Sequence, residues 1–224
     1  MLVEIFMFFG CNNDNFQNEE PVNKNSGKEY YPLKIGDTLI YQVTKISTDV
    51  PSDYYDTINY LLKEVVTSSY IDNEGDDSYR LERYIKQENK NWEIYQVWSA
   101  KIKDDKAEKN EENQRIIKIK FPISINKKWN GNILNNLDNK IFYISNFNHS
   151  YSLNNENYSN CLTIIQDSLS SIINQDFECE IYAADIGLIY KEMTHINSQI
   201  INPIIDIGMR ISTSQVYKQT LIKY

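Results

Sequence analysis

The sequence predicts an all-β fold: a single antiparallel domain of roughly ten strands, built as a sandwich or as a sheet curled strongly into a half-barrel. Three observations carry this. Short segments rich in β-branched and aromatic residues recur along the chain, which holds 17 Tyr and 8 Phe. Clusters of Asn, Asp and Gly separate them, as hairpin turns require. No Pro/Gly/Ser-rich joint follows Gly27, so one domain accounts for the remaining length better than two.

Taken in order, residues 30–37 (Tyr-Tyr-Pro-Leu-Lys-Ile-Gly-Asp) form a turn-rich entry, because Pro fixes φ and Gly-Asp punctuates the chain. Residues 38–46 read as a strand with Leu39, Tyr41 and Val43 on one face. Residues 57–70 repeat the pattern with Ile58, Tyr60 and Leu62 together. A helix can also be drawn through Ile58, Leu61, Leu62, Val65 and Val66, but Thr, Val and Tyr favour the pleat. The acidic turn at 72–77 makes 79–86 the return arm of a hairpin, and 92–102 follows with Trp92, Ile94, Gln96 and Trp98 expected on one face.

Residues 103–115 are a charge run of mixed sign, expected to be a solvated loop or strand edge. A Ca²⁺ loop needs ligands at fixed alternate positions around a Gly, and that pattern is absent. Residues 116–121 alternate into Pro122, which ends a ladder. Asn130-Gly131 is a strong hairpin signal. Residues 141–144 and 158–165 read as further strands, 178–193 as one interrupted at Gly187 by a bulge or close backbone approach, and 208–224 as the last.

Ahead of this domain lies a different kind of sequence. Residues 1–9 are an apolar run ended by Gly10-Cys11, too short for a bilayer-spanning helix of about 20 residues and the right size for the apolar part of a secretory signal. An apolar run, then a small residue, then Cys resembles a bacterial lipoprotein signal, in which that Cys receives the lipid. Glu4 and the lack of a Lys or Arg before the run depart from that pattern. The expected organisation is residues 1–10 as signal peptide, 11–28 as a disordered tether with little to bury, and 29–224 as the β domain, with Cys11 the lipid attachment point.

The formal net charge of −8 argues against nucleic acid, whose binding rests on Lys and Arg neutralising phosphates, and against a basic patch docking on anionic lipid. Any membrane contact is expected through the N-terminal lipid.

Several segments then look familiar together: Tyr31-Pro32-Leu33-Lys34-Ile35-Gly36, Arg80-Leu81-Glu82-Arg83-Tyr84, Val97-Trp98-Ser99, Trp129-Asn130-Gly131-Asn132, and Tyr182-Ala183 through Ile186-Gly187-Leu188-Ile189-Tyr190-Lys191-Glu192. They resemble a group of hypothetical lipoproteins of Bacteroidota-type bacteria, over most of residues 29–224. The resemblance implies an outer-membrane envelope location, periplasmic or surface-facing, and a β architecture; it implies no catalytic residue.

No C-x-x-C, P-loop, G-x-G-x-x-G or G-x-S-x-G is present, so neither a cofactor nor a metal is expected. His149 and His195 are the only histidines and are expected in exposed loops. Cys161 and Cys179 would face one another if their hairpin centred on Ser170. A disulfide is then possible, with two buried thiols acting as small hydrophobes the favoured alternative. Glu82, Glu93, Asp185 and Glu192 are the candidate carboxylates for a polysaccharide hydrolase, with Trp92, Trp98 and Trp129 able to stack on sugar rings or, preferably, to pack the sheet. The favoured expectation is a non-enzymatic binding or structural module of the envelope, taking a glycan, an apolar ligand or an envelope protein as partner.

Overall fold

The computed structural model describes residues 27–224, and there the chain is all-β, as expected. Cys11 and the proposed signal and tether up to residue 26 lie outside the described residues. Twelve strands form one antiparallel sheet: β1 (Thr38–Asp49), β2 (Tyr54–Ile71), β3 (Asp77–Lys86), β4 (Glu93–Lys103), β5 (Lys106–Glu111), β6 (Gln114–Lys120), β7 (Lys128–Asn130), β8 (Ile141–Leu153), β9 (Glu156–Asp167), β10 (Asn174–Ala183), β11 (Gly187–Asn197) and β12 (Thr213–Lys223). The spatial order runs β6-β5-β4-β3-β2-β1-β12-β11-β10-β9-β8-β7. Two hairpin meanders are therefore joined where the first strand meets the last.

The sheet curls until its two margins touch. Ile117 N on β6 donates to the Gly131 carbonyl just past β7 at 2.9 Å, and the Trp129 indole N–H donates to the Ile117 carbonyl at 2.9 Å. The result is a nearly closed barrel, the more curled of the two expected shapes. Closure removes the exposed strand margins that would otherwise invite other chains.

The strand count exceeds the expected one for local reasons. Part of the 103–115 charge run is β5, not a solvated loop: Ala107, Glu108 and Lys109 are buried and pair across to β4 and β6. Residues 178–193 fold as a hairpin rather than one strand with a bulge, and they turn at 184–186. Gly187 has φ +99 there, and that left-handed backbone is what calls for glycine, since a Cβ on it would make only ordinary contact, 3.6 Å, with the Pro32 ring. Asn130-Gly131 does not make a two-residue turn. The Asn130 side-chain oxygen instead accepts from Asn132 N and Lys140 N, holding a longer connection to β8.

The period of two decides what is inside. Tyr41 and Val43 on β1 and Tyr60 and Leu62 on β2 are buried as expected, whereas Ile58 is exposed. On β4 a register shift between Arg83 and Tyr84 turns Ile94 outward while Gln96 and Trp98 line the interior, which divides the face expected to hold all three. One apolar cluster spans Leu81, Ile119, Phe121, Phe142, Ile144 and Leu162, and a second spans Tyr41, Val43, Leu62, Cys161, Ile181 and Ile189.

Outside, three neighbouring loops at one end (49–54, 167–174 and 197–213) present exposed apolar residues. Ile204 is 93% and Met209 84% exposed. That loop is internally held: the Arg210 guanidinium donates to the carbonyls of Ile205 and Ile200, and Ser198 Oγ donates to the Arg210 carbonyl.

Gly131 is a steric requirement, since a Cβ there would meet the Phe142 ring at 2.5 Å. Gly131→Ala is expected to destabilise by about 1–3 kcal/mol through overpacking at the closing margin. Differential scanning calorimetry should record a Tm at least ~2 °C lower; an unchanged Tm would contradict the packing described.

Candidate functional site: a charged cavity inside the curled sheet

The inner face carries a belt of ionisable side chains, and strand register is what assembles it. Across β2, β3 and β4, Glu64 stands opposite Arg83 and Arg83 opposite Gln96. Across β10, β11 and β12, Glu180 stands opposite Lys191 and Lys191 opposite Gln219. From β5 and β6, Lys109, Glu111 and Lys118 complete the ring, and all these residues line one cavity of about 370 Å³. The size is within the range of small-ligand sites, roughly 300–1,000 Å³. Trp98, Tyr60 and Tyr217 supply aromatic wall, and Tyr31, Pro32 and Leu33 of the entry segment contribute to it as well.

The charges are organised around two carboxylates. Glu64 accepts from Lys109 Nζ with both oxygens, at 3.0 and 2.9 Å, and lies 3.3 Å from Arg83 Nε. Arg83 also donates through Nη1 to Gln96 Oε1 at 2.6 Å, with its guanidinium carbon 3.6 Å from the centre of the Trp98 ring. Glu180 accepts from Lys118 Nζ at 2.6 Å and from the Tyr182 hydroxyl at 2.6 Å, with Lys191 Nζ at 3.4 Å. Glu111 lies 3.4 Å from the same Lys118.

Burial and charge act against each other here, and charge prevails. Burial alone would raise the Glu111 carboxyl, but Lys118, Lys191, Lys109 and Arg83 together hold it well below the usual carboxylate range. Burial works the same way on Glu180, and Lys118 and Lys191 bring it below its ordinary value. Burial would also strip the proton from Lys191; Glu111 and Glu180 outweigh that and raise it. A general acid needs a proton to give near neutral pH, and these two carboxylates are the wrong species for that role. What the arrangement offers is fixed charge and aromatic surface in a partly dry space.

None of the carboxylates proposed from the sequence for hydrolysis converges on this cavity. Glu82 pairs with Arg80 and Tyr84 within its own strand, Glu192 accepts from Tyr190 and lies 3.5 Å from Lys218, Glu93 is exposed, and Asp185 sits in the β10–β11 turn. The histidines are in strands rather than loops. His149 on β8 is within hydrogen-bonding distance of Thr163 Oγ1 at 3.0 Å; His195 on β11 lies between Asp176 at 2.9 Å and Glu178 at 3.4 Å. Both ring nitrogens of His195 therefore face carboxylates, and neither faces a nucleophile.

Cys161 and Cys179 are buried free thiols. The hairpin turns through 171–174, about two residues beyond Ser170, so Cys161 stands opposite Ala183 and Cys179 opposite Ile165. They occupy neighbouring strands but not the same rung. Burial raises both thiols, Cys179 to about 12. Of the three tryptophans, Trp98 lines the cavity, Trp129 packs edge-on to Phe142, and Trp92 lies under Lys63.

Among the described residues one group could hold a metal ion, Asp72, Glu74 and Asp76 in the β2–β3 turn. Lys101 Nζ already occupies its centre, 2.7, 2.9 and 2.8 Å from the three carboxylates, with Lys103 and Arg115 beside it. Hydrogen bonds from Lys101 lower Asp72 and Asp76, and those from Arg115 lower Glu74. An ammonium fills the role of the cation, so these acids serve as a clasp.

The belt residues Glu64, Arg83, Lys109, Glu111, Lys118, Glu180 and Lys191 were not singled out from the sequence. The signal that could have found them is ionisable residues on the same phase as Tyr41, Leu62, Leu81 and Tyr182, where a period of two calls for apolar ones.

No family model and no curated protein matches this chain. Among solved structures, one similar to it is described as a "putative exported protein with YmcC-like fold" from Bacteroides fragilis. Its TM-score is 0.46 at 9% identity, covering 86% of this chain and 98% of that one. A second is described as a "putative lipoprotein" from Parabacteroides distasonis, with a TM-score of 0.40 at 11% identity over the same shares.

The charge belt sets the pH dependence. Glu111 and Glu180 have folded-state pKa values below their unfolded ones, so their stabilisation is complete above about pH 4.3 and is lost as pH falls toward the folded values. Lys191 is the mirror case, stabilising at neutral pH and losing that contribution only in strong alkali. Urea denaturation should give a midpoint that drops as pH is lowered from 6 to 3. Glu180→Gln should cost about 3–5 kcal/mol at pH 7, because it leaves Lys118 short of its partner, and should flatten part of the acid limb; an acid limb identical to wild type would refute the assignment.

The cysteines give a second test. Ellman's reagent is expected to find no reactive thiol at Cys161 or Cys179 in the native domain and both in denaturant without reductant. Recovery of neither in denaturant would establish a bridge and overturn the register.

Proposed function

We propose that this protein is a lipid-anchored binding protein of the bacterial cell envelope, which holds a small ligand inside its curled sheet rather than transforming it. The observation that carries the binding role is the cavity of about 370 Å³, bounded by aromatic rings and by charged side chains that the register places deliberately on the inner face. Domains that only need stability fill such space with Leu, Ile and Val, because replacing buried ion pairs by packed apolar groups is often neutral or stabilising. Retaining seven ionisable side chains there is a cost that a binding role explains.

The anchor reading rests on Gly10-Cys11 after the apolar run and on the polar stretch that follows. Fifteen residues lie between Cys11 and Gly27, sixteen residue-to-residue steps that reach at most about 55 Å when extended. An outer-membrane placement and a periplasmic or surface orientation are part of this proposal. The location requires no surface charge complementary to anionic lipid, in keeping with the net charge of −8.

Two measurements test the proposal. In the native host, an alkyne fatty acid should label the wild-type protein and leave Cys11→Ala unlabelled. Native mass spectrometry of protein released gently from host membranes should carry a small-molecule adduct that Ile116→Trp, which adds bulk to the cavity wall, abolishes while circular dichroism stays unchanged. Unlabelled wild type would end the anchor; adduct-free wild type, or an adduct undisturbed by Ile116→Trp, would end the cavity as the binding site.

A further inference from the structure

Resting on the cavity reading above, we infer that the ligand is an anionic small molecule: an acidic head group, carboxylate or phosphate, on a flat or apolar body, with the head seated at Arg83 and Trp98.

The cavity lining as a whole is balanced, with five cations and five carboxylates, but the charge is unevenly placed: at the head-group position two cations, Arg83 and Lys109, share one carboxylate, Glu64. Lys45, Asp37 and Glu112 also line the cavity; Glu112 is exposed and accepts from Gln96, and Lys45 lies over the Tyr60 and Tyr217 rings. An exposed charge such as Glu112 is screened by water and salt, whereas the local excess at Arg83 and Lys109 is far less so. The side chains at the head-group position are the desolvated ones: Arg83 is 6% and Lys109 8% exposed.

Hydrogen-bond bookkeeping points the same way. Four buried side-chain polar atoms among the described residues have no partner: Arg83 Nε, Trp98 Nε1, Glu108 Oε1 and Gln166 Nε2. The two that belong to cavity-lining residues are both N–H donors, on side chains stacked 3.6 Å apart. Arg83 Nε lies 3.3 Å from Glu64 without the alignment of a hydrogen bond, so the guanidinium keeps a donor to give. Two donors short of acceptors, beside two cations that share one carboxylate, ask for the same thing, an oxyanion. Arg is the residue suited to meeting a planar acid through more than one N–H. Trp98, Tyr60 and Tyr217 offer the flat surface on which the rest of such a molecule would lie.

The test is isothermal titration of the wild-type chain with four probes matched in shape: benzoate, phenyl phosphate, benzamide and benzylammonium. An acid should bind at least ~10-fold more tightly than benzamide, since a hydrogen bond to a charged group adds roughly that factor or more. Benzylammonium should not bind. Benzoate against phenyl phosphate then identifies the head group. Arg83→Met should weaken the acids about 10-fold or more. Glu64→Gln adds a positive charge to the belt and should tighten them, a direction that general misfolding cannot produce. Benzamide binding as well as benzoate would overturn the charge inference while leaving the cavity a binding site. Weaker acid binding by Glu64→Gln in a folded protein would overturn it too, and failure of all four probes would overturn the inference together with the cavity reading.

Discussion

The pair between Lys118 and Glu180 is what the closed shape depends on. Lys118 belongs to β6, at one margin of the sheet, and Glu180 to β10, near the other; their 2.6 Å contact spans the interior that the curl encloses. Neither ion could be taken from water alone, since the penalty is several kcal/mol for each. Lys118 gains its 2.6 Å partner only when the curl brings β10 to it, whereas Glu180 also faces Lys191 on the adjacent strand. The Tyr182 hydroxyl on Glu180 and the neighbouring Lys191 and Glu111 complete the set; these are contacts within a strand or between neighbouring strands, and the pair of Lys118 and Glu180 is the one that joins the two halves of the sheet. Apolar clusters on either side of it provide most of the driving force for burial.

That dependence explains what was legible in the sequence. Alternation over Leu39, Tyr41 and Val43, turn clusters at 72–77, and the density of Tyr and Ile announce strands because each of those signals is local. The inward strand β5 was hidden because Lys106 to Glu111 looks solvated until its pairing with β4 and β6 and the contact of Lys109 with Glu64 on β2 are known. Charge next to charge in sequence says nothing about the neighbour on the next strand. The same limit explains the cysteines: a two-residue shift in a turn moves Cys161 and Cys179 off a common rung, and only tertiary packing fixes that register. The carboxylates chosen for hydrolysis were conspicuous by context, whereas the buried ones, Glu64, Glu111 and Glu180, stand in unremarkable strand sequence.

Two acidic groupings in this molecule show how position decides role. Asp72, Glu74 and Asp76 are gathered in an external turn and closed by Lys101, with every charge answered nearby. Inside, five cations line the cavity against five carboxylates, although the chain as a whole carries −8. The cavity is thus electrically balanced within a chain whose net charge is acidic.

The margin where β6 meets the end of β7 has a mechanical meaning. Every other boundary between adjacent strands is a ladder, some of them ten rungs or more, while this one is carried by a backbone bond from Ile117 to Gly131, the indole of Trp129 and the Asn135 amide on the Arg115 carbonyl. A hooped wall with a single lightly stitched seam parts along the seam when it breathes, and the ladders elsewhere keep their shape. Since Lys118 sits one residue from that stitch, such parting would expose the buried charges first, ahead of the laddered remainder of the wall.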